Sequence, residues 1–217
     1  MRELRRSGDR FETRRDGITT RHSFSYGDHY DPTNVGFGPV IAINEESLPP
    51  GGGYAAHRHA DVEIITWVLE GVLAHEDTTG HGGEVPPGVA QRLSAGTGAE
   101  HTERNASGTE PLRFVQMMLT SRHADAPEYA VATVAEGEGV LETVDVHADA
   151  RLLVVRPEGG AMALAEAPRV LVHVTSGSIS VGSDVLGPGD ELRAAGEPGL
   201  VLGGDGEALV WLLDLAV

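Results

Sequence analysis

Short apolar runs, each closed by glycine, proline or charged residues, recur along most of this chain. Phe37 to Ile43, Val62 to Leu69, Ala90 to Ala95 and Leu112 to Thr120 are such runs, and each predicts a strand. Val72-Leu73-Ala74-His75-Glu76-Asp77 predicts the return of Val62 to Leu69 across a turn at Glu70-Gly71. Pro49-Pro50-Gly51-Gly52-Gly53, Gly80-His81-Gly82-Gly83, Pro86-Pro87-Gly88 and Gly96-Thr97-Gly98 supply the other reversals. Leu112 to Thr120 is mostly apolar and reads as buried on both faces. Residues 1 to 20 alternate charged and small side chains, which predicts an edge strand or a partly ordered arm. Residues 121 to 150 lose the rhythm and read as an acidic connection carrying one short strand.

The pattern then repeats. Val68-Leu69-Glu70-Gly71-Val72-Leu73 is matched by Val174-Thr175-Ser176-Gly177-Ser178-Ile179, and Pro87-Gly88 by Pro188-Gly189. Leu93-Ser94-Ala95-Gly96 is matched by Leu192-Arg193-Ala194-Ala195-Gly196. Self-similarity in a fixed order argues for a duplicated β unit. The expectation is an all-β protein of two tandem units, residues 1–125 and 126–217.

Composition narrows the function. Sixteen basic against 33 acidic residues give a formal charge of −17, which repels nucleic acid and anionic membrane, so neither is an expected partner. There is no cysteine, which excludes disulfides and thiol catalysis. Every basic residue is arginine, which excludes Walker, Schiff-base and Ser-Lys chemistry. No apolar run approaches the roughly 18 residues that a membrane span requires, and Met1 to Thr20 lacks the apolar segment of a signal peptide. A soluble, cytoplasmic protein is expected. The two fused units satisfy each other, so a monomer is expected too.

The chemistry gathers between Gly51 and Asn105. Alternate residues of a strand share a face, so His57 and His59 point one way, and so do His101 and Glu103. Brought together inside a small barrel, they would aim three imidazoles and a carboxylate at one point. Such a set suits a divalent transition metal and leaves positions for exogenous ligands. His57 stands 14 residues before Gly71; the same step back from Gly177 reaches Ala163. The second copy therefore has Ala163-Leu164-Ala165 for His57-Arg58-His59, and Leu200-Val201-Leu202 opposite His101 and Glu103. One metal site per chain is expected, in the first unit.

Gly51-x5-His57-x-His59-x3-Glu63 resembles the first cupin motif, and Gly98-x2-His101-x3-Asn105 is similar to the end of the second. Tyr26-Gly27-Asp28-His29-Tyr30-Asp31-Pro32, Gly36-Phe37-Gly38-Pro39, Ile43-Asn44-Glu45, Leu69-Glu70-Gly71, Ser94-Ala95-Gly96-Thr97-Gly98 and Leu212-Leu213-Asp214-Leu215 extend the likeness over nearly the whole chain. In order and spacing these segments resemble the pirins, a bicupin family, and its short bacterial quercetinase-like branch. The resemblance implies two β-sandwich cupin barrels, with metal only in the first, held by His57, His59, His101 and Glu103. General cupins draw their carboxylate from the first motif, here Glu63; pirins draw it from the second, as Glu103. Arg58 replaces the usual proline, and alternation sends it away from the metal.

The resemblance further implies quercetin 2,3-dioxygenase-like activity: ring cleavage of a flavonol by O2, with loss of carbon monoxide. Glu103, at or beside the metal, is the natural base for the flavonol 3-hydroxyl proton. Fe(II) is the first expectation for the ion, with Ni, Cu, Mn and Zn also compatible with these ligands. The alternative is a non-catalytic metal- or redox-responsive regulator of the pirin type, whose acidic surface would meet a basic protein partner. His75 and His81, in or beside a glycine-rich loop, could orient a metal ligand or the substrate, but the favoured reading is that they are solvated. His147 and His173 read as structural, and Trp67 and Trp211 as core.

Overall fold

The structure is a computed structural model describing residues 1–215; residues 216 and 217, the end of the expected second unit, lie outside the described residues. Among the described residues are nineteen strands, one 3-10 turn at Ser7–Asp9 and no α-helix. Two barrels, as the duplication predicts, fill the chain.

Seven strands form the main sheet of the first barrel, in the order Glu128–Thr133, Val89–Ser94, Val62–Glu70, Leu112–Thr120, Val40–Leu48, Ile18–His22, Phe11–Arg15. Gly53–His59, Ala99–Asn105, Leu73–Asp77 and Gly82–Val85, in that order, form the smaller sheet packed against it. At one end of the interior Leu73 and Val85 meet Ile18, Leu48, Val68, Leu112 and Phe114. At the other, Ala99 meets Ala42, Ile64, Leu93 and Met118. Between the two apolar plugs, Asn44, Glu46, Thr66, Gln91 and Gln116 of the main sheet occupy inward positions and are buried. The first barrel has a polar waist.

The remaining strands belong to one eight-stranded sheet. Arg169–Val181 and Val201–Leu213 pair along their lengths, with a register shift between Val174 and Ser176. The shift exchanges the faces: Val170, Val172 and Val174 point inward before it, Ile179 and Val181 after it. Gly177 sits at the bend with φ +68°, where a Cβ would strike the Asp205 carbonyl, so only glycine fits. The interior, from Leu153 to Leu212, is apolar.

The barrels meet through the largest apolar cluster. Ile43, Ile65, Trp67, Val115, Met117 and Leu119 of the first sheet's outer face pack against Leu152, Val154, Leu171, Leu209, Trp211 and Leu213. Each fully buried large apolar side chain contributes about 1.5–3 kcal/mol, so the two units are one body. Both tryptophans are core, as expected, and both donate indole hydrogen bonds across the seam: Trp67 to Glu207 Oε1 at 3.0 Å, Trp211 to Met117 Sδ at 3.2 Å. His173 is structural, buried in the seam between Glu45 and Glu191, each 3.1 Å from a ring nitrogen. Burial opposes its charge, yet the two carboxylates raise its pKa; His173 in turn, with Arg10, holds Glu45 down at about 2 against the cost of burial.

The structure departs from the sequence expectations in four places. The strand expected over Phe37–Ile43 runs Val40–Leu48, because Asn44 and Glu46 are held inside the barrel and Glu45 at the seam. The amino-terminal arm forms three strands rather than one. The 121–150 connection carries two strands, Glu128–Thr133 and Gly139–Glu142. The division after residue 125 is crossed both ways: Arg2–Arg5 pairs with Glu191–Ala195 of the second sheet, and Glu128–Thr133 with Val89–Ser94 of the first. Each exchanged strand covers an edge that would otherwise stand unpaired.

Candidate metal centre

Ala99–Asn105 lies between Gly53–His59 and Leu73–Asp77, and its burial alternates so that Ala99, His101, Glu103 and Asn105 face inward. His101 stands opposite His57 and Ala99 opposite His59. Beyond His101 the register slips, and Glu103 faces Tyr54, three residues from His57. This bulge brings Tyr54 to the interior beside the histidines, where its hydroxyl donates to Glu46 Oε2 at 2.6 Å. The backbone before the bulge lies so close to its neighbour that a Cβ at Gly53 would sit 2.5 Å from the Glu103 carbonyl oxygen. Arg58 points outward, as alternation predicts, lies over Gly98 and donates to the Thr97 carbonyl at 2.8 Å.

The three imidazoles converge. Ring centroids are 4.4 Å apart for His57 and His101, 4.9 Å for His57 and His59, and 5.1 Å for His59 and His101. One nitrogen from each lies within 4.8 Å of the others. His57 Nδ1 is 2.9 Å from the Ala55 carbonyl, which fixes the proton there and leaves Nε2 with its lone pair. His59 Nε2 and both nitrogens of His101 are buried without a hydrogen-bond partner. Burial, with the neighbouring imidazoles, pushes His59 down to about 4 and His101 to about 3, so both are neutral at pH 7. Buried, neutral nitrogens with nothing to bond fit a divalent transition metal.

Glu103 reaches the same place through His101, with which it forms a second group of donors completed by His75. Desolvation pushes its carboxyl up to about 7, while Gln116 Nε2 holds both oxygens at 2.8 and 2.9 Å. Glu63 is elsewhere. On Val62–Glu70 the inward residues are Ile64, Thr66 and Val68, so Glu63 faces the second unit. There it accepts hydrogen bonds from Ser121 and, at 2.7 Å, from Ser94.

His75 corrects the expectation of a solvated side chain. Leu73, His75 and Asp77 share the inward face, and His75 is fully buried. Asp77 Oδ2 lies 3.2 Å from Nε2, Gln91 Nε2 lies 3.4 Å from Nδ1, and Tyr129 stacks on the ring at 5.1 Å. His81 is exposed, as expected, and stacks on Tyr129 at 5.4 Å. Sequence reasoning missed Gln116, Glu46 and Tyr54. The signals were slight: a single glutamine inside the apolar run Leu112–Thr120, and Asn44 and Glu46 at alternate positions after the apolar start of Val40–Leu48.

Residues 4–119 match the family model described as Pirin. The chain belongs to the pirin family. This pirin is 37% identical to a Mycobacterium tuberculosis protein provisionally named a quercetin 2,3-dioxygenase, over 96% of this chain and 93% of the relative. It is 30% identical to the quercetin 2,3-dioxygenase of Escherichia coli K12, over 98% and 97% of the two chains. Among solved structures, the bacterial pirin YhhW of Escherichia coli in complex with nickel(II) matches at a TM-score of 0.92 and 29% identity, covering 100% of both chains. A quercetin 2,3-dioxygenase from Acinetobacter baumannii matches at a TM-score of 0.75 and 16% identity, over 97% of the pirin and 77% of that chain, and shares the fold. No helix among the described residues of the pirin is long and apolar enough to cross a membrane.

Proposed function

We propose that the protein is a metal-dependent dioxygenase that opens the ring of a flavonol of the quercetin class with O2. The observation that carries this reading is the set of unpartnered, neutral imidazole nitrogens beside a carboxyl poised near neutrality, inside a barrel whose relatives bear the quercetin 2,3-dioxygenase name. His57, His59, His101 and Glu103 would hold one divalent metal, Fe(II) first among the candidates. When bound, the metal would supply a Lewis-acidic centre that favours an anionic oxygen ligand.

The chain's own residues supply the rest. Glu103 takes the proton of the flavonol 3-hydroxyl, and to serve as both ligand and base it loosens from the metal during turnover. Gln116, donating to both carboxylate oxygens, keeps Glu103 from turning as its charge changes. Tyr54 and Thr20 hold Glu46 at the waist. The apolar plugs exclude water from either side.

The test is oxygen uptake with quercetin after reconstitution with iron, nickel, copper or manganese, beside the His57→Ala/His59→Ala variant. Uptake that needs metal and is lost in the variant supports the proposal and selects the ion. Tight metal binding with no uptake from any flavonol overturns it in favour of a regulatory protein.

A further inference from the structure

A second group of metal-type side chains lies away from the barrel waist. His123, Glu128 and His147 each place one donor atom within 4.8 Å of the others. They come from three segments: His123 follows the last strand of the first unit, Glu128 opens Glu128–Thr133, and His147 lies just before Ala150–Arg156. We propose that these three side chains form a second divalent-cation site of the 2-His-1-carboxylate type, where the chain passes from the first barrel to the second.

The geometry supports it in three ways. His147 Nε2 and Glu128 Oε2 are 3.1 Å apart. Two donors each about 2.1 Å from one ion, at tetrahedral or octahedral angles, stand roughly 3.0–3.4 Å apart. His123 Nε2 lies 2.6 Å from the Ala126 carbonyl, and a proton donated there leaves Nδ1 as the lone-pair nitrogen. That second hydrogen bond is the usual partner of a ligating imidazole. The backbone around the group is fixed without an ion: the His123 N–H donates to Ser121 Oγ at 2.9 Å, the His147 N–H to Glu63 Oε2 at 3.3 Å, and the Arg122 N–H to the His147 carbonyl at 2.6 Å.

Arg92 also donates to Glu128 Oε2, at 3.1 Å, which aims that oxygen toward His147 Nε2. The group is partly exposed, with the Glu128 side chain 49% accessible, so water can complete the coordination shell. Two imidazoles and one carboxylate favour a borderline ion such as zinc or nickel over calcium or magnesium. An ion there would tie the connecting segment to the first barrel, separately from any chemistry at His57, His59 and His101.

The test is zinc(II) stoichiometry by equilibrium dialysis with metal analysis on the full chain. Two zinc ions per chain are expected in the unmodified protein. One is expected after His123→Ala/His147→Ala, and one after His57→Ala/His59→Ala/His101→Ala. Glu128→Gln keeps the side chain's shape and is expected to weaken the second zinc by at least tenfold, leaving the first unchanged. Zinc stoichiometry that is the same before and after His123→Ala/His147→Ala, whether one or two, overturns the proposal; a single zinc lost in that variant and kept in the waist variant supports it and removes the waist site instead. Oxygen uptake unchanged in that variant would show that the two sites act apart.

Discussion

The two barrels share a fold and differ in what fills them. The second is packed with Val170, Val172, Val174, Ile179, Leu192, Leu202, Val210 and their neighbours, and its buried His173, Glu191 and Arg193 bond to one another and to the first barrel at the seam. The first keeps apolar plugs at its ends and gives its middle to Glu46, Glu103, Gln116, Gln91 and four histidines. The strand Ala161–Ala163 pairs with Val201–Leu202–Gly203, much as Gly53–His59 pairs with Ala99–Asn105, yet Leu164, Leu200 and Leu202 close that mouth. The fold therefore does not need the polar layer. A barrel that carries one forgoes the apolar fill its sister retains, and the apolar seam with the sister holds the pair together.

The largest expected effect comes from making the second interior resemble the first. Val172→Glu buries a carboxylate with no partner, and urea unfolding should show a loss of about 3–5 kcal/mol. Next is the converse. His59→Ala/His101→Ala should cut nickel or zinc affinity at the waist by more than about 100-fold, the upper range of outer-partner substitutions, with little loss of metal-free stability. Competition with a chelator measures the first part and thermal unfolding the second.

The carboxyls of the waist give a pH test. Burial places both Glu46 and Glu103 at about 7 in the folded chain, against an ordinary 4.5. Between those values the folded state binds more protons than the unfolded state. The stability they contribute to the metal-free protein is therefore intact below 4.5 and lost as pH climbs through 7. Stability should fall measurably over that range, and Glu46→Gln should flatten the profile by roughly half. Glu45, held at about 2 in the seam, gives the opposite sign, losing its contribution only as pH falls through that value. The smallest effect expected is from Gln116→Leu, which leaves Glu103 without its donor; metal affinity at pH 7 should fall about tenfold. An unchanged affinity would remove Gln116 from the account of the site.

The duplication, the all-β class and the turns that end most strands were legible because β structure writes its period into the sequence. His57 and His59 face the interior as alternation requires, as do His101 and Glu103. Alternation also set Glu63 aside, since Ile64 and Val68 point inward and carry it outward. What could not be read was which faces meet. Gln116 looked like an interruption in an apolar strand, and Asn44-Glu45-Glu46 like the end of one. Each is explained only by a partner on another strand: Glu103, His22, His173 and Tyr54. His75 was misread because its loop-like neighbours follow it in sequence, while its burial comes from Tyr129 and Gln91, far along the chain. The exchanged strands were hidden for the same reason.

That exchange sets an order of events during synthesis. Arg2–Arg5 leaves the ribosome long before Glu191–Ala195, the strand it pairs with, and Val89–Ser94 waits for Glu128–Thr133. The first barrel can enclose its metal-type residues before Glu128–Thr133 emerges only with one edge still open, and the second sheet takes in a strand made almost two hundred residues earlier. A chain stalled before residue 191 would hold Arg2–Arg5 without its partner strand and, lacking Val201–Leu213, would present the seam's tryptophan, Trp67, to whatever holds it.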